Sequence, residues 1–166
     1  MHKGVEAGAG GADASRVRAR AGIVLVTALA LAAADLVVKA VVAADPSFAH
    51  HRSQAWVEVS VGLFFVALLL ARPPSRLLAT GGGVFAGGLL GNLASAAMHG
   101  RAVANPFVVG DVAFNLADVF VVAGIVLMIV GTMRLAVGYR HLLPTHTIPV
   151  RIARHARAWI AARRAI

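Results

Sequence analysis

Four apolar runs, separated by short polar stretches, set the pattern of the chain. The first, Ala21 to Ala43, exceeds the ~20 residues that carry a helix across ~30 Å of hydrocarbon. A second, shorter run covers Ala55 to Ala71, with Glu58 near its outer end and Pro73-Pro74 closing it, because proline cannot continue a helix. The third spans Leu77 to Met98, and the fourth spans Phe114 to Thr132 and stops before Arg134. This pattern predicts an all-α, polytopic membrane protein: a four-transmembrane-helix bundle over residues 21–133. A flexible tail over 1–20 and a basic tail over 134–166 flank it.

Composition agrees. The chain is 59% apolar with a mean hydropathy of +0.79, whereas a soluble domain is roughly 45–50% apolar. One small core cannot hide that excess, and lipid is the simplest solvent for it. The first run is too long for a signal peptide, and polar residues interrupt its second half. Cysteine is absent, which rules out disulfides and thiolate chemistry.

A net charge of +9 would suit nucleic acid, but the charges sit at the ends of the apolar runs. Lys3, Arg16, Arg18 and Arg20 precede the first run, Arg72 and Arg76 join the second to the third, and seven arginines follow from Arg134 onwards. The other two loops hold only Arg52 and Arg101. By the positive-inside rule both termini are cytoplasmic, which four spans satisfy. Such a balance implies contact with anionic lipid. In the last stretch Ile152, Ala156, Trp159 and Ile160 share one helical face and most arginines lie opposite, the pattern of an interfacial amphipathic helix. No aromatic stacking platform accompanies those arginines, so nucleic acid is not an expected partner.

Ionisable groups inside a span are costly and therefore draw attention. Asp35 and Lys39 stand four residues apart and share a helix face, either supporting a site or only locking one helix to its neighbours. Gly83, Gly87, Gly91 and Ser95 make a small-xxx-small ridge that lets two helices approach closely. Asn92 follows Gly91, and its amide needs a partner within the bundle. At the entrance to the fourth span, Phe114-Asn115-Leu116-Ala117-Asp118 places an amide and a carboxylate three residues apart on one face. Aspartic proteolysis requires two carboxylates, one ionised to activate water and one protonated to polarise the peptide carbonyl.

With these residues in view, the chain resembles the lipoprotein signal peptidases (signal peptidase II), four-span aspartic proteases that remove the signal peptide from lipid-modified prolipoproteins. The resemblance covers roughly residues 21–133. It rests on Asp35-x-x-x-Lys39, Gly91-Asn92-Leu93, His99-Gly100 and Phe114-Asn115-Leu116-Ala117-Asp118. It implies that Asp118 is one catalytic aspartate, that Asn92 and Asn115 orient the substrate, and that Asp35 and Lys39 support the site. It also implies a bacterial-type inner membrane, a lipid-modified signal peptide as partner, and no cofactor. Where the family continues from Gly-Asn-Leu to Asp-Arg, this chain has Ser95 and Ala96. Where the family has its other catalytic aspartate, ungapped counting from Gly100 reaches Ala104, followed by Asn105.

Asp111 is the only acid in the outer loop before Asp118 and is the candidate for the second carboxylate, with Glu58 and Asp45 as alternatives. On a continuous helix, seven residues would separate Asp111 from Asp118 by about 10.5 Å, so the dyad needs a bent loop at Gly110. Asp111 otherwise caps the fourth helix. His50, His51 and His99 share the outer side without a supporting carboxylate, so no metal is expected. Two readings follow: an aspartic endopeptidase of this type, or a non-catalytic membrane binding or scaffold relative that lost the dyad.

Overall fold

The computed structural model describes residues 6–42 and 48–140. Four helices dominate it: α1 (Glu6–Val41), α2 (Gln54–Leu69), α3 (Arg76–Met98) and α4 (Leu116–Gly138). Asp45 and the whole of the proposed amphipathic segment from Val150 onwards lie outside the described residues. Among the described residues three helices are long and apolar enough to cross a membrane, namely α1 from Asp13, α3 and α4. With 16 residues, α2 is shorter.

The first helix begins at Glu6, not at Ala21, so residues 6–20 are helical where a flexible tail was expected. The physical reason lies in the composition that suggested a tail. Alanine and arginine are strong helix formers, and the long apolar run behind them supplies a nucleus from which the helix extends. Likewise α4 continues past Arg134 to Gly138. Ser53 caps α2 by accepting from the Trp56 N–H at 3.1 Å, and Ser75 caps α3 by accepting from the Leu78 N–H at 3.2 Å.

Helix α3 is the hub, and its small residues decide which neighbours come close. A Cβ added to Gly83 would stand 2.9 Å from Thr27 Cβ, and one added to Gly87 would stand 2.9 Å from Leu31 Cβ. One added to Gly91 would stand 2.7 Å from Asp35 Oδ2. The predicted ridge is thus the α1-facing surface of α3. A different face brings Gly88 against the start of α4, where an added Cβ would meet the Ala117 carbonyl at 2.5 Å. Close backbone approach of this kind suits helices that associate by van der Waals packing rather than by hydrophobic drive.

Large apolar side chains cover the outside of the helices, and a few polar ones are buried. Leu29, Val59, Phe65, Val122 and Met133 are exposed, whereas Asp35, Asn92, Ser95, Asn105 and Asn115 are buried. An apolar belt outside, with a few mutually paired polar groups buried beside apolar residues such as Phe85 and Leu89, is what lipid selects.

Four very short strands, absent from the sequence reading, sit between helices at the end of the bundle where α4 begins. β1 (His50–His51) pairs antiparallel with β2 (Ala102–Val103), and β3 (Phe107–Val109) pairs antiparallel with β4 (Val112–Phe114). Valine and phenylalanine favour extended backbone. Gly110, at φ +59°, supplies the left-handed residue that the two-residue turn Gly110-Asp111 requires. We call this the polar end. At the opposite, basic end, Arg20 donates to the carbonyls of Ala71 (2.9 Å) and Arg72 (3.2 Å), satisfying acceptors left over past the end of α2.

Candidate functional site

Asp35 reaches the polar end from the last third of α1, fully buried against Gly91. One carboxylate oxygen, Oδ2, forms an ion pair with Lys39 Nζ at 2.7 Å. The other, Oδ1, accepts the Ala117 main-chain N–H at 2.8 Å. That N–H is one of the donors a helix start leaves unpaired, so Asp35 ties α1 to the positive end of α4. Lys39 Nζ also donates to Asn92 Oδ1 at 3.0 Å, and Asn92 Nδ2 donates to Asp118 Oδ1 at 2.9 Å. Helices α1, α3 and α4 are thereby joined by one chain of charge-assisted hydrogen bonds.

The Phe114–Asp118 segment holds its own conformation by a reciprocal cap. Asn115 Oδ1 accepts the Asp118 N–H at 3.0 Å, and Asp118 Oδ2 accepts the Asn115 N–H at 3.2 Å. Asn115 therefore stands at the N-cap of α4 and Asp118 at the third helical position, the geometry of a capping box. The cap expected of Asp111 is made by Asn115 and Asp118 instead. The Asn115 amide nitrogen is left to donate to Asn105 Oδ1 at 2.8 Å and to the Ala104 carbonyl at 3.4 Å. Asn105 Nδ2 in turn pairs with His50 Nδ1 at 2.8 Å.

Five residues singled out from the sequence, Asp35, Lys39, Asn92, Asn115 and Asp118, thus form a single network. Asp111 does not join it. It is exposed in the β3–β4 turn, and among the described residues it makes no hydrogen bond or ion pair. Glu58 is also exposed and accepts from Gln54 on its own helix at 3.2 Å. Asn105 also joins the network, through Asn115. Its signal in the sequence was a lone amide before Pro106 in an otherwise apolar stretch.

Two cavities flank the network. One, of about 380 Å³, is lined by Phe114, Val119, Val122 and Ala123, with Asp118 the one ionisable group on its wall. Another, of about 490 Å³, has Lys39, Ser95 and His99 among apolar residues including Leu36, Met98 and Ala104. Each oxygen of Asp118 has one protein partner and a remaining acceptor site, so this half-buried carboxylate can take an N–H from a molecule in the first cavity. The ammonium at the second cavity can donate to a carbonyl.

The family model described as signal peptidase (SPase) II matches residues 44–134, more than half of the chain. The chain belongs to the signal peptidase II family. It is a signal peptidase II-like protein whose apolar helices suit a membrane. No curated protein and no solved structure matches it.

Proposed function

We propose that this protein binds a diacylglyceryl-modified signal peptide at the Asp118 network and holds it without cutting it. One observation carries the reading. The segment that would supply the second acid carries Ala104 and Asn105 instead, and it offers Asn115, beside Asp118, only the Ala104 main-chain carbonyl and the Asn105 amide oxygen. Water attacking a peptide carbonyl needs one carboxylate to take its proton and another to protonate or polarise the carbonyl oxygen. Asn105 can donate and accept hydrogen bonds, but it cannot exchange a proton in this way. Asp35, the other acid in the network, is engaged on both oxygens, by Lys39 and by Ala117. What remains is a surface suited to an extended apolar peptide: a carboxylate and an ammonium facing two largely apolar cavities.

In this reading the chain crosses a bacterial-type inner membrane four times, α2 included. The basic end is cytoplasmic and in contact with anionic lipid, and the polar end faces outward. Because cysteine is absent, Arg18→Cys and Asp111→Cys report on topology through a membrane-impermeant maleimide. Asp111→Cys labels from outside and Arg18→Cys does not; the reverse pattern overturns the orientation.

The functional test is incubation of the purified protein with a lipid-modified prolipoprotein. The expected result is a stable complex with an intact substrate, weakened on the order of tenfold by Asp118→Asn and unchanged by Asp111→Asn. Cleavage by the wild-type protein sinks the proposal. If Asp111→Asn then abolished that cleavage, Asp111 and Asp118 would be the catalytic pair.

A further inference from the structure

At the basic end, far along α1 from Asp35, a cavity of about 540 Å³ is lined by Arg16, Ala19, Arg20, Ile23, Pro74 and Arg76. Arg16, Arg20 and Ile23 follow one another at i, i+4 and i+7, so they share a face of α1. Arg76 opens α3, whose N-terminus adds a partial positive charge to the same place. Three arginines and a helix start therefore line one hollow. Among the described residues none of the three forms an ion pair: the one ion pair present is Asp35–Lys39. Asp13, three residues before Arg16, forms no ion pair with it, and Arg72 contributes its carbonyl as an acceptor for Arg20.

The arginines are not equivalent. Arg20 is fixed by the carbonyls of Ala71 and Arg72 and closes α2. Arg16 and Arg76 are exposed, and among the described residues they have no hydrogen-bond partner. Like charges gathered around a cavity repel unless an anion sits among them. Ile23 lies about one turn deeper than Arg20, and beyond it Leu25, Val26 and Leu29 are exposed in the apolar belt. The hollow thus marks the level where charge gives way to hydrocarbon on α1.

We propose that it is a binding site for the phosphodiester headgroup of an anionic glycerophospholipid, gripped by Arg16 and Arg76, with the acyl chains running down α1 past Ile23. Guanidinium groups bind phosphate oxygens in bidentate fashion, which favours arginine over a diffuse basic surface. The proposal takes from the reading above only which leaflet supplies the lipid; it holds whether or not the opposite end binds a signal peptide.

The test is lipid retention by the full-length protein. It is reconstituted in nanodiscs of phosphatidylcholine doped with phosphatidylglycerol, extracted, and weighed by native mass spectrometry. Wild type is expected to retain phosphatidylglycerol in preference to phosphatidylcholine. Arg16→Gln/Arg76→Gln is expected to lower that retention on the order of tenfold or more, given the usual contribution of each basic residue near an anionic surface. Arg16→Lys/Arg76→Lys, which keeps the charge, restores part of it. Arg18→Gln, on the opposite face of α1, leaves it unchanged. Arg20 stays intact throughout because it holds α2 in place. Equal losses with Arg18→Gln would make the effect one of net charge and overturn the site. Release of the lipid by inorganic phosphate alone would show a free-anion site rather than a lipid site, and would also overturn it.

Discussion

At the polar end of the bundle, the buried Asp35 and the half-buried Asp118, an ammonium and three buried asparagines satisfy one another across α1, α3 and α4. At the basic end arginines outnumber the one described acid, Asp13, and Arg16 and Arg76 are exposed and without an ion-pair partner among the described residues. The difference follows from what each end has for a solvent. Where side chains point into the bundle, every charge must find a partner within the protein, since burial without one is severely unfavourable. Where they point to the membrane surface, water and lipid headgroups complete the electrostatics. Substitutions at the two ends should therefore differ in magnitude and in kind.

Removing one member of the buried pair breaks the comparison most sharply. Asp35→Ala leaves Lys39 without its carboxylate and the Ala117 N–H without its acceptor, and should lower unfolding stability in detergent by about 3–5 kcal/mol. A loss below ~1 kcal/mol would mean that the pair is not buried in solution. Next comes Gly88→Val, which forces a side chain onto the Ala117 carbonyl. Separation of α3 from the start of α4 should cost about 1–3 kcal/mol and stretch the Asn92–Asp118 hydrogen bond. Binding of a lipid-modified peptide should fall with it.

Asn115→Ala removes the N-cap of α4 and the partner of Asn105, with an expected loss of about 1–2 kcal/mol by thermal unfolding. At the basic end, Arg20→Gln breaks one half-buried and one exposed hydrogen bond, and the expected loss is smaller, about 1 kcal/mol. If Arg20→Gln proved as damaging as Asp35→Ala, the distinction between the ends would be lost.

How far these features could be read in the sequence depended on whether a residue acts through local spacing or through the folded chain. The Asp35–Lys39 pair lies at i, i+4 and the Asn115–Asp118 cap at i, i+3, and the small-residue ridge recurs every fourth position; local geometry alone brings each together. Asn92 could be recognised as needing a partner, but its two contacts, Lys39 and Asp118, are separated from it by 53 and 26 residues. Asn105 was harder still. Its contacts with Asn115 and His50 depend on strands of two or three residues, too short for periodicity to reveal.

The helical character of residues 6–20 is not legible in the sequence because a stretch rich in glycine, alanine and arginine lacks amphipathic periodicity even when it continues a stable helix. Asp111 attracted attention as an acid near Asp118 in sequence, yet a tight turn at Gly110-Asp111 sets it at the tip of a hairpin, exposed to solvent.

Photo-crosslinking is the most direct measure of whether the buried network receives a lipid-modified signal peptide. A diacylglyceryl peptide with a photoreactive group in its apolar stretch would be irradiated with the protein in nanodiscs and the adducts located by mass spectrometry. Adducts are predicted on the residues around the two cavities, among them Leu36, Met98, Phe114 and Val122, and unlabelled peptide should compete them away. Adducts spread along the exposed face of α2, or ones that unlabelled peptide fails to displace, would contradict the account.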